Sequence, residues 1–223
     1  MAFTGFTPAA TQFFTDLAAN QDRAWFTAHK SLYESAVKAP MAALIADLSG
    51  ELARRGLPLT GDPVRGMFRI HRDVRFTHDK APYKTHAGAV LTRDGRKDNP
   101  GLLYIHLDPT GSFIAAGFYH ADPPQLARLR EAIAWRADEF QVLEKHLHDN
   151  GLEFDRAESL ARLPRGFDQH ADSPIAYALK LRNLVVHRPL KPAALRKPAL
   201  VGQIADFAAT ILPLLQFGWD VID

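Results

Sequence analysis

Near Phe68 the spacing of the apolar residues changes from about 3.6 to 2, so the chain must be built from helices and a sheet together. Upstream of that point every apolar stripe is helical. Thr7-Pro8 supplies an N-cap and a first-turn proline, and Phe13, Phe14 and Leu17 follow. Asn20-Gln21-Asp22 breaks this helix and starts another, on which Trp25, Phe26, His29, Tyr33 and Val37 lie three or four apart. Pro40 opens a third, with Met41, Leu44, Ile45, Leu48 and Leu52 on one stripe and Gly56 and Pro58 closing it.

From Phe68, the residues Phe68, Ile70, Val74 and Phe76 alternate with Arg69, His71, Asp73 and Arg75, which predicts a strand with one face in the core. Arg72 falls on the apolar side of that alternation. Residues 86–92, 102–107 and 112–119 predict three further strands, the last two joined by the turn Asp108-Pro109-Thr110-Gly111. Connections this short favour an antiparallel meander. Asp122-Pro123-Pro124-Gln125 is a helix start with a capping-box glutamine. The stripe from Leu126 to Leu147 then predicts one long helix or two in tandem. A loop over 163–168, a short helix from Ser173-Pro174, a strand over 184–187 and a helix over 198–212 complete the chain. The fold class is α+β, an antiparallel sheet packed with several helices in a single domain over residues 1–223.

Composition adds exclusions. There is no cysteine, which rules out disulfides, thiolate metal sites and a cysteine nucleophile and fits a reducing, cytoplasmic setting. No secretory leader is visible after Met1. The most apolar C-terminal stretch, 208–215, falls far short of the ~20 residues that span a bilayer, so no membrane partner is expected.

The net charge of +2 hides a segregation. Residues 65–97 hold nine cations against three acids, and residues 165–197 hold seven against two. These segments carry +6 and +5, leaving −9 for the rest.

On a strand, Arg69, His71, Asp73 and Arg75 would project from one face about 7 Å apart. One carboxylate cannot saturate two guanidiniums, whose repulsion at that distance costs about 2 kcal/mol at an effective dielectric near 20. Distant acids, solvent or an anionic ligand must neutralise them. Arginine suits planar acceptors such as carboxylate or phosphate. Arg72, on the apolar face, needs a partner, because an unpaired buried charge costs several kcal/mol. The Asp79–Lys84 turn would set Lys80, Tyr83 and Lys84 beside the strand, with Tyr83 either an acid or a packing residue.

The stretch Phe68-Arg69-Ile70-x-Arg72-Asp73-x-Arg75-Phe76-x-x-Asp79-Lys80-x-Pro82-Tyr83-Lys84-Thr85-His86 closely resembles the signature of domain-of-unknown-function family 2461 (DUF2461). Phe3-x-Gly5-Phe6, Asn20-x-x-Arg23-x-Trp25-Phe26, Gly117-x-Tyr119-His120, Pro164-x-Gly166-Phe167 and Lys180 extend the resemblance over nearly the whole chain. Gln21-Asp22 departs from the more usual asparagine at a helix junction. The resemblance implies no reaction, substrate or catalytic residue.

Ten histidines raise the question of a metal. His71, His78 and His86 surround the basic loop, with Asp73 and Asp79 as carboxylates, but none has recognisable zinc spacing and the cations oppose a dication. No metal or cofactor is expected. No phosphate-binding loop, dinucleotide fingerprint or nucleophile elbow is present.

Three readings remain. The first is a cationic site for a phosphorylated or carboxylated small molecule, formed by Arg69, Arg72, Asp73, Arg75, Lys80, Tyr83 and Lys84 and completed by Arg165, Lys180 and Arg182. His71, Tyr83 and His86 are its acid–base candidates. The second is a nucleic-acid-binding module that uses both basic segments, with salt-dependent affinity. The third is a scaffold whose charges form an internal ion-pair network. The sequence fixes no oligomeric state.

Overall fold

The helical stripes of the first third fold as α1 (Pro8–Ala19), α2 (Arg23–Ala28), α3 (Lys30–Tyr33) and α4 (Ala39–Arg54). The computed structural model describes residues 2–75 and 78–222, so Phe76, the last apolar position of the expected alternation, lies outside the described residues, as do Met1, Thr77 and Asp223. Asp22 caps α2 by accepting from the Trp25 N–H at 2.8 Å. Pro40 does not start a new helix. A π turn over Glu34–Lys38 carries α3 directly into α4. A proline ring inside a helix collides with the carbonyl four residues back, and the wider π turn makes room for it.

Four strands form one antiparallel sheet in the order β1 (Ala87–Leu91), β2 (Leu102–Leu107), β3 (Phe113–Phe118) and β4 (Leu184–Pro189). The first three are the expected meander. Between β3 and β4 lie α5 (Pro123–Trp135), α6 (Ala137–Asp149) and α7 (Ala176–Leu179). The capping box at Asp122 and Gln125 is formed, and the long stripe is two tandem helices broken at Arg136. After β4 come α8 (Pro192–Leu195) and α9 (Leu200–Ile222).

The final helix runs well past the predicted end and through Pro213. Leu214, Leu215, Phe217 and Trp219 beyond the proline are all buried, and this packing outweighs the lost hydrogen bond. By length and composition α9 could cross a membrane. In this fold it is the central core helix, packed on β3, α4, α5 and α6.

The core lies between the helices and one face of the sheet, where Leu103, Ile105 and Leu107 of β2 meet Ile114, Ala116 and Phe118 of β3. Among the described residues no helix covers the opposite face of β2, which carries Leu102, Tyr104 and His106, all partly exposed.

Over its described residues, 68–75, the basic segment is not the expected strand. It touches β1 through a bridge between Met67 and Ala89 and a Phe68 N–H bond to the Gly88 carbonyl. Farther along, residues 70–72 pair only with 82–84, through the His71–Tyr83 bridge. Three local features stop the ladder. Pro82 has no N–H to give. Asp73 takes the Arg75 N–H at 3.2 Å, and Asp79 takes the Ala81 N–H at 2.9 Å. Such aspartate turns compete with strand pairing.

Candidate functional site

The uncovered sheet face is the floor of a cavity of about 880 Å³. Strand alternation places one residue set there: Val90 from β1, Tyr104 and His106 from β2, Phe113 and Ala115 from β3, Val185 and His187 from β4. The floor is mainly aromatic. His106 stacks on Phe113 with ring centroids 4.5 Å apart, and Tyr104 lies 5.9 Å from Phe113. Gly88 makes this possible, because a Cβ there would come within 2.6 Å of the Tyr104 hydroxyl.

The two ends of the cavity are opposite in charge. Beside β1, Phe68 and Lys84 form the wall. The Lys84 Nζ lies 5.4 Å from the Phe68 ring centroid and the Lys97 Nζ 5.1 Å from it, so one ring faces two ammonium groups. Such cation–ring contacts are attractive but do not neutralise charge. Burial, then the charge of Arg69, holds Lys84 below the usual lysine range. Burial, then Lys84 and Arg69, does the same to Lys97. Among the described residues neither lysine has a carboxylate within ion-pair distance, and Lys97 donates to the Met67 carbonyl at 2.6 Å. Beside β4, Asp155 and Glu158 form the opposite wall. Asn183 anchors it, donating to Glu158 at 2.9 Å and accepting from the His120 N–H at 2.8 Å. Four strands separate the two ends by roughly 14 Å.

Near the cationic end, His86, His106 and Asp108 converge. Gly88 pairs with His106 and Ala87 with Leu107, so the register continued by one residue sets His86 opposite Asp108. The imidazole rings lie 4.4 Å apart, and His106 Nε2 is 3.7 Å from Asp108 Oδ2. Burial, then the neighbouring His106 and Lys84, depresses His86 to about 4. Burial also lowers His106, against the pull of Asp108. Burial pushes the Asp108 carboxyl up, but the Thr110 hydroxyl and N–H outweigh it and hold the group below its usual range. Tyr104, hydrogen-bonded to His106 Nδ1 at 2.9 Å, is raised to about 12 by burial.

Of the residues singled out from sequence, Lys84 and His86 line this cavity, and Arg69 acts on Lys84 electrostatically. The others are elsewhere. Arg72 does have a partner, Asp79, but is only half-buried. Arg75 pairs with Asp73 at 2.7 Å, both largely exposed. Lys80 donates to the Val74 carbonyl at 2.9 Å. Tyr83 is buried and stacks on Phe26 at 4.5 Å, a packing role. His71 is exposed beside it, 5.2 Å from the Tyr83 ring. Arg165 sits in an exposed loop, Lys180 is half-buried, and Arg182 is exposed near Arg130. None of these three lines the cavity.

Sequence reasoning passed over Tyr104, His106, Asp108, Phe113, His187 and Lys97. The alternation of Tyr104, His106 and Asp108 along one strand was the signal available for three of them.

The exposed Asp73–Arg75 pair is worth little.

No curated protein and no solved structure matches the chain. One family does, described as "Conserved hypothetical protein (DUF2461)", and its match covers residues 9–217. Nearly the whole fold, the cavity included, lies within that span, and the chain belongs to the DUF2461 family.

Proposed function

We propose that the sheet-face cavity binds a small anionic molecule, phosphorylated or carboxylated, whose flat or apolar portion lies on the aromatic floor. One observation carries this reading: Lys84 lines one wall, Lys97 approaches the same Phe68 ring with Arg69 close by, and among the described residues neither lysine has a carboxylate within ion-pair distance. A protein that leaves partly buried cations unneutralised keeps a standing electrostatic cost, which an anionic ligand removes. The volume supports a small ligand, since such sites usually enclose about 300–1,000 Å³. The absence of cysteine fits a reducing, cytoplasmic setting for it.

A second reading has support from the floor. Tyr104 and Phe113 on an open four-stranded sheet, with Phe68 on the wall beside them, could stack the bases of a single strand. The walls at 155–158 and around Phe68 confine the space to a short segment.

Calorimetric titration with nucleoside phosphates, sugar phosphates, aromatic carboxylates and short single-stranded RNA decides between them. The first reading expects saturable binding of one small-molecule class. Binding of RNA alone, with affinity falling steeply with salt, would replace it with the second. No binding in any arm would leave the scaffold reading.

A further inference from the structure

We propose that His86, His106 and Asp108 form a binding site for a divalent first-row transition metal of the zinc type, with two nitrogen ligands, one oxygen ligand and a fourth position open to the cavity. Among the described residues this is the only group of three such side chains whose ligand atoms all lie within 4.8 Å of one another. The spacing suits the chemistry. Tetrahedral bonds of about 2.0–2.1 Å to nitrogen and oxygen place neighbouring ligand atoms a little over 3 Å apart. His106 Nε2 and Asp108 Oδ2, at 3.7 Å, need only a small inward movement.

The groups around the cluster prepare it in the way ligands are usually prepared. Asp108 Oδ1 accepts from the Thr110 N–H at 2.7 Å and the Thr110 hydroxyl at 2.6 Å, which fixes the carboxylate and leaves Oδ2 toward His106. The Tyr104 hydroxyl oxygen lies 2.9 Å from His106 Nδ1, where it can accept a hydrogen bond from the Nδ1–H tautomer and leave the Nε2 lone pair for a cation. Phe113 holds the imidazole plane from one side.

Lys84 opposes the dication, which is why neighbouring positive charge counted against a metal from sequence alone. The sheet brings in a carboxylate, Asp108, that the linear order kept out of view. A +2 ion on two neutral imidazoles and one carboxylate keeps a net positive charge, so its open position favours an anion. The metal site stands without the anion reading, because it predicts binding in buffer with no organic ligand.

The test is metal titration of tag-free protein, read by calorimetry with Zn²⁺ and by visible absorption with Co²⁺. The expected result is one ion per chain, with the spectrum of four-coordinate Co²⁺ and a raised melting temperature. His86→Ala and Asp108→Asn should each lower affinity about 100-fold or more, and Tyr104→Phe about tenfold. His148→Ala, an exposed histidine on α6 outside the cavity, should leave affinity unchanged. Circular dichroism identifies any variant that fails to fold, and Tyr104→Phe, the mildest change, then carries the comparison. Failure of Zn²⁺, Co²⁺ and Mn²⁺ to bind the unmodified protein overturns the proposal. So does binding that His86→Ala and Asp108→Asn leave intact.

Discussion

Gly117→Ala is expected to destabilise the protein by about 4 kcal/mol or more, enough to leave little folded material at 37 °C. Gly117 lies in β3 with φ +132°, a region that side-chain-bearing residues rarely occupy. A Cβ there would sit 1.9 Å from the Leu184 carbonyl oxygen and 3.0 Å from the Val185 Cα. Both obstacles are backbone atoms of the paired strand, so no side-chain rotation relieves the overlap. Either β3 or β4 must shift, and the cavity floor shifts with it. Gly111→Ala is the matched control, since nothing lies within 4 Å of a Cβ built at that turn. Urea unfolding of the two variants makes the comparison, and near-equal midpoints would show that the strand pair yields more readily than the geometry implies.

The second large effect is on binding. If the cavity takes the proposed anionic ligand, replacing Lys84 and Lys97 together with alanine is expected to weaken its binding by about 100-fold or more. A charge-assisted hydrogen bond contributes about 1.5–3 kcal/mol, and each tenfold in affinity is about 1.4 kcal/mol. Stability should move little or rise, because the two ammonium groups are desolvated, repel each other and have no protein carboxylate among the described residues. The pairing of outcomes separates a binding role from a structural one. Loss of affinity with stability kept supports the site. Loss of stability would mean that the lysines hold the Phe68 wall in place, and unchanged affinity in a folded double variant would remove them from the site.

Much of the fold was legible because its signals are local. The alternation through Leu103, Ile105 and Leu107 marks β2, and Asp122 with Gln125 marks the start of α5. The misread elements each involve competition between neighbours. The sequence of 68–76 alternates as a strand does, yet Asp73 takes the Arg75 N–H and Asp79 the Ala81 N–H in turns. Pro40 and Pro213 read as boundaries, yet a π turn and a buried surface carry the helix through them.

The site was harder to see. Lys84 and His86 stood out within a dense basic run, but that run divides between a local ion-pair network and the cavity wall. His106 and Asp108 carry no meaning until strand register sets them beside His86. Register is a non-local property, fixed by which faces find the core rather than by any short motif.

The arrival of β4 after residues 119–183 has a kinetic consequence. The β1–β2–β3 meander consists of nearby pairings that close cheaply, whereas β4 must close a long loop before it gains its contacts with β3. Val185, His187 and the acidic wall tied to β4 by the Asp155 N–H bond to Val185 therefore join the aromatic floor last. A nascent chain holds the cationic half of the cavity before it holds the acidic half, and the cavity is complete only as folding ends.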